Sequence, residues 1–302
     1  MITVIITSWK EPKTIGKAIQ SVGDVSYSGI PDNFEIIQVS PDDETLQAGY
    51  KMSQKLKLAE KFIQIRDPQK GKPYAYKMAI DIAKGDIIIT TDGDVYFGEK
   101  AIEHIVKAFE DKRIGGVSGR PISAQSKDTF WSYIGNLLAD SAHHKRTSTA
   151  NKNEFFPMSG YIMAFRKIKL AIPQDVLSDD AYISYIIAKS GKLIGYAPQA
   201  LAYIKYPDNY KDYMKQKVRS HGGYQQLKKY PEIQGMKTTR TFLDELRYFW
   251  FPIAYAKNIR EFFWSLLLYP LRIIQWIRIF YERVILKKGM SATGWDRIES
   301  TK

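Results

Sequence analysis

Residues 1–125 alternate short β-branched runs with helical segments, and this alternation constrains the fold more than any other feature of the chain. Strands are predicted at Thr3–Ser8, Phe34–Ser40, Phe62–Arg66, Asp86–Thr91 and around Gly116–Gly119. Helices are predicted near Pro12–Val22, Glu44–Ala59, Lys72–Ala83 and Glu99–Phe109. Pro12 suits a first helical turn, where its missing N–H costs nothing. A βαβα rhythm of this kind predicts an α/β fold with a mostly parallel, doubly wound sheet. In such sheets ligands bind at the carboxyl ends of the strands. The strand Asp86–Thr91 ends on Asp92-Gly93-Asp94. Two carboxylates placed there suit a hard divalent cation that also touches phosphates. The plain alternative is a turn, which Asp and Gly both favour.

Residues 126–240 are more mixed. An aromatic helix is predicted at Thr129–Ala142, then a polar loop at Thr147–Asn153 and a strand at Ser159–Phe165. A helix Ala181–Ser190, short strands Leu193–Tyr196 and Ala200–Ile204, and a basic helix Tyr210–Lys229 complete this part. From Phe242 to Leu286 the chain becomes dense in aromatic and aliphatic residues interrupted by Arg and Lys. We therefore divide it at 240: residues 1–125 a nucleotide-binding half, 126–240 an acceptor half, and 241–302 a membrane-associating helical region.

The formal charge of +13 over 302 residues favours an anionic partner. Its pairing with a C-terminal aromatic belt points to a membrane surface rather than nucleic acid. There is no cysteine, so disulfides and thiolate metal sites are excluded, in keeping with a reducing compartment. The N-terminus reads directly as a strand, without the basic leader and apolar core of a signal peptide. The chain is expected on the cytoplasmic side.

Four further clusters accompany the Asp pair. Gly71-Lys72 opens a helix, where Lys72 can neutralise a diphosphate or simply be a solvated terminus. No P-loop or GxGxxG is present, which disfavours NTPase and dinucleotide folds. Asp42-Asp43 follows the second strand; Asp42 can contact a base or ribose, and Asp43 can cap the next helix. Asp179-Asp180 precedes a helix, where adjacent carboxylates raise one another's pKa and one can act as a base, unless they serve as a cap. Gln216 and Arg219 share a face of the basic helix and can clamp a phosphate.

Together, in this order and spacing, these elements resemble family 2 of the inverting glycosyltransferases, whose nucleotide-sugar-binding fold is called GT-A. The resemblance covers roughly residues 1–230. The segment Thr7-Ser8-Trp9-Lys10-Glu11 looks like that family's opening motif, with Trp9 for Tyr and Lys10 for Asn. Gly71, Lys72 and Ala75 match its Gly-Lys-x-x-Ala element, and Lys77 replaces an Asn. The resemblance implies donor-nucleotide contacts from Ser8, Glu11, Asp42, Lys72 and Asp92. It implies Mg²⁺ or Mn²⁺ on Asp94, helped by Asp92, and Asp180 as the catalytic base. It also implies an acceptor and diphosphate side formed by Asp179, Gln216 and Arg219. Gln216-x-x-Arg219 is similar to an element of processive synthases, but Ser220 stands where they carry Trp, so processivity is not implied.

Two adjacent histidines, His143 and His144, point about 100° apart on a helix and cannot easily share a metal. They are expected at the surface or on the acceptor side. Phe130–Ile134 is expected to be core rather than a sugar platform. The stretch Phe262–Phe280 has the length of a membrane span, yet Arg272 sits near its centre, with Pro270, Gln275 and Arg278 beside it. At 100° per residue, Ile273, Ile274, Ile277, Phe280, Tyr281 and Val284 fall on one face, and Arg272, Gln275, Arg278, Glu282 and Arg283 on the other. That pattern, with Trp276 at the boundary and Lys287-Lys288 following, predicts an interfacial helix on an anionic leaflet; the alternatives are a helix packed on the catalytic domain or in an oligomer, and a spanning helix.

The expected activity is metal-dependent transfer of a sugar from a nucleotide donor to a hydroxyl on a glycan or lipid-linked acceptor. A polyprenyl phosphate acceptor, already ionised, needs no base. The other readings are a nucleotidyltransferase, disfavoured by the lack of a Gly-rich N-terminal loop, and a non-enzymatic basic membrane-binding protein.

Overall fold

The computed structural model describes residues 1–58, 60–236, 246–282 and 298–301. The residues Val284, Arg283, Lys287 and Lys288 invoked for the C-terminal anchor lie outside them.

The first half follows the predicted strand–helix alternation, except that its first helix starts at Ile15 behind Thr14, which leaves Pro12 in the turn before it. Strands β1 (Ile2–Thr7), β2 (Phe34–Ser40), β3 (Phe62–Arg66) and β4 (Ile87–Asp92) are separated by helices α1 (Ile15–Gly23), α2 (Val25–Ser28), α3 (Asp43–Lys55) and α4 (Lys72–Ile82). Next come β5 (Tyr96–Phe97), α5 (Ala101–Ala108), β6 (Ile114–Ser123), α6 (Phe130–Asn151), β7 (Met163–Arg166), α7 (Asp179–Lys189), β8 (Leu193–Ile204) and α8 (Tyr210–Gln226). Helices α9 (Phe251–Tyr255) and α10 (Ile259–Phe280) follow. The eight strands form one sheet in the order β3-β2-β1-β4-β7-β6-β8-β5. The pairs β1/β2, β1/β4, β2/β3 and β6/β8 are parallel, while β7 lies antiparallel between β4 and β6.

Both faces of the sheet are covered. The pleat sends Val4 and Ile6 of β1 to one side, against Ile15 and Ile19 of α1 and Ile102 and Ile105 of α5. It sends Ile5 to the other, against Tyr76 and Ala79 of α4 and Ile183 of α7. Fully burying side chains of this size stabilises the fold by roughly 1.5–3 kcal/mol each. A third cluster joins Tyr133, Ile134 and Leu137 of α6 to Tyr213 and Met214 of α8 and to Leu268 and Leu271 of α10. Phe130–Ile134 is accordingly a packing segment, as expected.

Three local expectations are corrected. The predicted polar loop Thr147–Asn153 belongs largely to α6, which runs to Asn151. Its hydroxyls remain helix-compatible by bonding back along the turn: Thr149 Oγ1 donates to the Lys145 carbonyl at 2.8 Å. The two short strands after α7 are one, β8. Between the pairs Ser118/Tyr196 and Arg120/Leu201 its register against β6 slips, and this bulge absorbs Pro198, which has no N–H for the ladder. The helix that follows β2 is capped by Asp42, which accepts from Thr45 N at 3.0 Å, and not by Asp43, which pairs with Arg66.

Candidate active site

Because β1 and β4 run side by side in parallel, their carboxyl ends deliver Thr7-Ser8 and Asp92-Gly93-Asp94 to the same edge. Gly93 N donates to Thr7 O at 2.8 Å. A Cβ on Gly93 would lie 2.5 Å from Glu11 Oε2 and 2.7 Å from Ser8 Cβ, so only glycine lets the two strand ends converge this closely. Asp92 Oδ1 accepts from Thr7 Oγ1 at 3.0 Å and from Lys72 Nζ at 2.5 Å. Lys72 opens α4 behind Gly71, whose φ of +99° favours glycine. Burial is the largest single effect and works against its positive charge, but Asp92, Tyr76 and Asp179 together outweigh it and hold the ammonium well above its ordinary pKa. Lys72 is thus a fixed cation at the N-terminus of a helix, where backbone N–H groups add to anion attraction.

Two cavities open on this edge. The smaller, about 310 Å³, is walled by Ser8, Glu11, Asp67, Gly71, Lys72 and Asp94, among others. The larger, about 720 Å³, holds Asp179 and Asp180 and reaches to α10. They share Lys72, Asp92, Tyr161, Gln216 and Arg219 in their walls. Arg219 is buried enough to be pulled below its usual pKa, despite the opposing pull of Tyr161, Asp92 and Asp94; a guanidinium keeps its charge regardless.

Asp179 and Asp180 form the first turn of α7. Asp180 is oriented by backbone donors: Gly160 N to Oδ2 at 3.1 Å and Ala181 N to Oδ1 at 2.8 Å. Asp179 is buried, and burial raises its pKa to about 6, with Lys72 opposing and Asp180 adding to the rise. Its Oδ2 has no hydrogen-bond partner among the described residues.

The structure therefore brings together Ser8, Glu11, Lys72, Asp92, Asp94, Asp179, Asp180, Gln216 and Arg219 around two joined cavities. Asp42 is placed differently. Its carboxylate accepts from Thr45 N, from Lys10 N at 2.8 Å and from Ser40 Oγ at 3.1 Å, and it is not among the residues walling the smaller cavity. These bonds outweigh the effect of burial and hold its pKa below the usual carboxylate range. The carboxylate facing the cavity on that side is Asp67, just past β3, whose pKa burial raises. Its signal was available: it follows β3 much as the Asp pair ends β4. Tyr161 carried no sequence signal. Nor did Ile298 and Thr301, which reach the smaller cavity while Ser300 N bonds Asp212 of α8 at 2.9 Å. The two histidines diverge as expected: His143 Nδ1 bonds Tyr196 at 2.8 Å, and His144 packs on Tyr248, Trp250 and Phe251.

Among the described residues no group of three or more His, Cys, Asp or Glu is placed to hold a metal. The donor set at the strand ends is two hard carboxylates, one of them already bonded to Lys72. Such a set fits a cation that takes its remaining ligands from a substrate's phosphates and from water, as Mg²⁺ commonly does, and does not fit an all-protein cage.

Comparison with known proteins agrees with this architecture. The chain is 22% identical over 236 residues to an N-acetylglucosaminyltransferase of Rhizobium meliloti (strain 1021), covering 72% of this chain and 54% of that protein. It is 23% identical over 236 residues to the poly-beta-1,6-N-acetyl-D-glucosamine synthase of Staphylococcus aureus (strain COL), covering 75% and 55%. The chain thus spans about half the length of these relatives. A mannosyltransferase from Pyrobaculum calidifontis, solved with GDP-Man and Mn²⁺, shares the fold with a TM-score of 0.62 at 19% identity, over 95% of this chain and 86% of that one. The family model for glycosyl transferase family group 2 matches residues 87–290, and that for glycosyl transferase family 2 matches residues 3–170; the chain belongs to glycosyl transferase family 2.

Proposed function

We propose that the protein transfers a sugar from a nucleotide-sugar donor to a hydroxyl of a lipid-linked or other glycan acceptor, with inversion. The observation that carries this reading is the meeting of the two cavities at Lys72, Asp92, Tyr161, Gln216 and Arg219. Asp94 lies on one side of that junction and Asp180 on the other. The donor nucleotide occupies the smaller cavity, its diphosphate beside Asp94, Lys72 and the start of α4. The sugar projects through the junction. The acceptor fills the larger cavity with its hydroxyl on Asp180.

In the reaction the acceptor oxygen bonds to the anomeric carbon as the bond from that carbon to the diphosphate oxygen breaks. The hydroxyl proton passes to the Asp180 carboxylate, which Gly160 N and Ala181 N hold in place. Lys72 and Arg219 offset the charge that grows on the departing diphosphate. Asp94, with Asp92, would hold a Mg²⁺ or Mn²⁺ ion that supplies Lewis-acid neutralisation of the same charge. Tyr161, Gln216 and Arg219 close the junction and limit entry of water to the sugar.

The protein works at the cytoplasmic face of a membrane, in glycan or polysaccharide assembly, and is held there peripherally by residues 241–302. In support, the described residues contain no helix long and apolar enough to cross a membrane. The apolar side of α10 also faces outward, with Ile259, Phe263, Leu267, Ile273, Ile277 and Phe280 all exposed. Calorimetric titration with a panel of nucleoside diphosphates and nucleotide sugars, with and without Mn²⁺, tests the donor side. Binding that needs Mn²⁺ and disappears in Asp92→Asn/Asp94→Asn is expected; donor binding unchanged in that variant refutes the assignment.

A further inference from the structure

The larger cavity continues well past the sugar-transfer junction. It passes between α6 and α10 and is also lined by Leu246, Phe249 and Ile273, which are 48%, 64% and 58% exposed. These three residues therefore mark its mouth, and the mouth is apolar. Ile273 also belongs to the outward stripe of α10, so the entrance opens onto the apolar face itself.

Inside α10 the usual order is inverted. Glu261, Ser265 and Gln275 face inward with Leu268 and Leu271, while large aliphatic and aromatic side chains face out. Contiguous exposed apolar surface of this kind marks a protein or membrane contact. Charge decides between them. The exposed cations Arg247, Lys257 and Arg260 lie on α10 or in the segment leading into it, Arg260 over the Trp264 ring. The two acidic residues of the described segment 246–282, Glu261 and Glu282, are respectively buried and paired with Arg278. An apolar stripe accompanied by cations complements an anionic bilayer.

The wall behind the mouth carries Lys145, Arg146, Lys217 and Arg272. Lys145 lies over Tyr248, Lys217 over Tyr213, and Arg272 donates to Gln275 Oε1 at 2.9 Å, so these cations are positioned by neighbours. The carboxylates of the same wall, Asp92, Asp179 and Asp180, are those of the transfer site. The lining of this cavity thus combines an apolar mouth, these cations and the acidic residues at its junction with the smaller cavity.

We propose that the acceptor is a bilayer lipid with a phosphate or diphosphate between its tail and its sugar, entering the larger cavity sideways from an anionic membrane on which α10 lies. This rests on the assignment of the Asp180 side to the acceptor. The tail stays against Phe249 and Ile273, the phosphate passes Arg146, Lys217 and Arg272, and the terminal sugar presents its hydroxyl to Asp180. That hydroxyl oxygen gains the new glycosidic bond, its proton goes to Asp180, and the lipid's own phosphate is unchanged.

The test is vesicle flotation of the full chain, which needs neither donor nor turnover. Vesicles are phosphatidylcholine alone, phosphatidylcholine with phosphatidylglycerol, and the latter doped with phytanyl diphosphate N-acetylglucosamine or with a phytanyl glycoside of the same sugar. Phosphatidylglycerol is expected to tighten binding about tenfold or more. Ile277→Glu and Phe280→Glu, outside both cavities, are expected to abolish that gain while nucleoside diphosphate binding is unchanged. The diphosphate probe is expected to add about tenfold again in wild type, and this increment is expected to vanish in Arg146→Gln/Lys217→Gln. N-Acetylglucosamine 1-phosphate in solution is expected to compete poorly. Equal binding of the phosphate-free glycoside, equal competition by the soluble sugar phosphate, or no response to phosphatidylglycerol each overturns the proposal. Failure of nucleoside diphosphate binding in calorimetry refutes the donor assignment instead, and the flotation result stands apart from it.

Discussion

The N-terminal half of the sheet and the C-terminal helices treat apolar side chains in opposite ways. In β1, β2 and β4 almost every residue is buried, because helices cover both faces of a parallel sheet. In α10 the buried positions include Glu261, Ser265 and Gln275, while Ile273, Ile274, Ile277 and Phe280 face outward. One region fixes the strand ends that carry the candidate site. The other presents a surface. Mutations should therefore separate chemistry and stability from surface binding.

The largest effects belong to the strand and helix ends of the transfer site. Asp180→Asn is expected to slow transfer to a hydroxyl acceptor by roughly a hundred- to ten-thousandfold with donor affinity retained. Full activity in that variant, measured by nucleoside diphosphate release, would point to an acceptor that arrives already ionised. Asp94→Asn is expected to lose about a thousandfold, several kcal/mol at 1.4 kcal/mol per decade, together with Mn²⁺-dependent donor binding. Next in size, Leu268→Ala on the inward side of α10 should cost roughly 2–5 kcal/mol in urea denaturation. Its outward neighbour Ile277→Ser should stay within about 0.5 kcal/mol. Equal costs for these two would erase the contrast between the two sides of the helix.

A smaller effect concerns Asp179. Burial pushes its folded pKa up to about 6, above the ordinary carboxylate range, so folding favours its protonated form. The stability this gives is present at low pH and is lost as pH rises through about 6. Asp179→Asn should therefore raise stability at pH 7.5 by roughly 1–3 kcal/mol and change it little at pH 4, read by thermal melts at the two pH values. An unchanged difference across that range would show that Asp179 is ionised in both states.

The sequence was most legible where local pattern and tertiary role coincide. β1 to β4 are short, mostly apolar and β-branched runs between helices, and that alternation predicts parallel pairing. Asp92, Asp94, Lys72 and the Asp179-Asp180 pair stand at element ends, where turn and cap residues give visible punctuation. Asp42 shows the limit. Its cap role and a ligand role call for the same residue type, and only the three donors around its carboxylate separate them. Asp67 and Tyr161 were missed because neither falls in a spaced motif; one is a lone acid after β3 and the other a lone tyrosine before β7. The length of α6 was misread for a related reason, since Thr and Ser leave helices unless their hydroxyls turn back on the chain. For α10 the pattern of faces was readable, but which face turns inward depends on partners on α6, α8 and α9.

Those partners have a practical consequence for handling the protein. Ser265 Oγ donates to the Pro252 carbonyl at 2.6 Å and accepts from Tyr133 at 2.8 Å, and Gln275 Oε1 takes bonds from Tyr213 at 3.3 Å and Arg272. The inner seam of α10 is thus fastened by directional bonds on top of its leucines, and mild detergent has little to offer those groups. Detergent will coat the outer stripe and leave the seam closed, so extraction should yield a folded, donor-binding chain surrounded by a partial micelle.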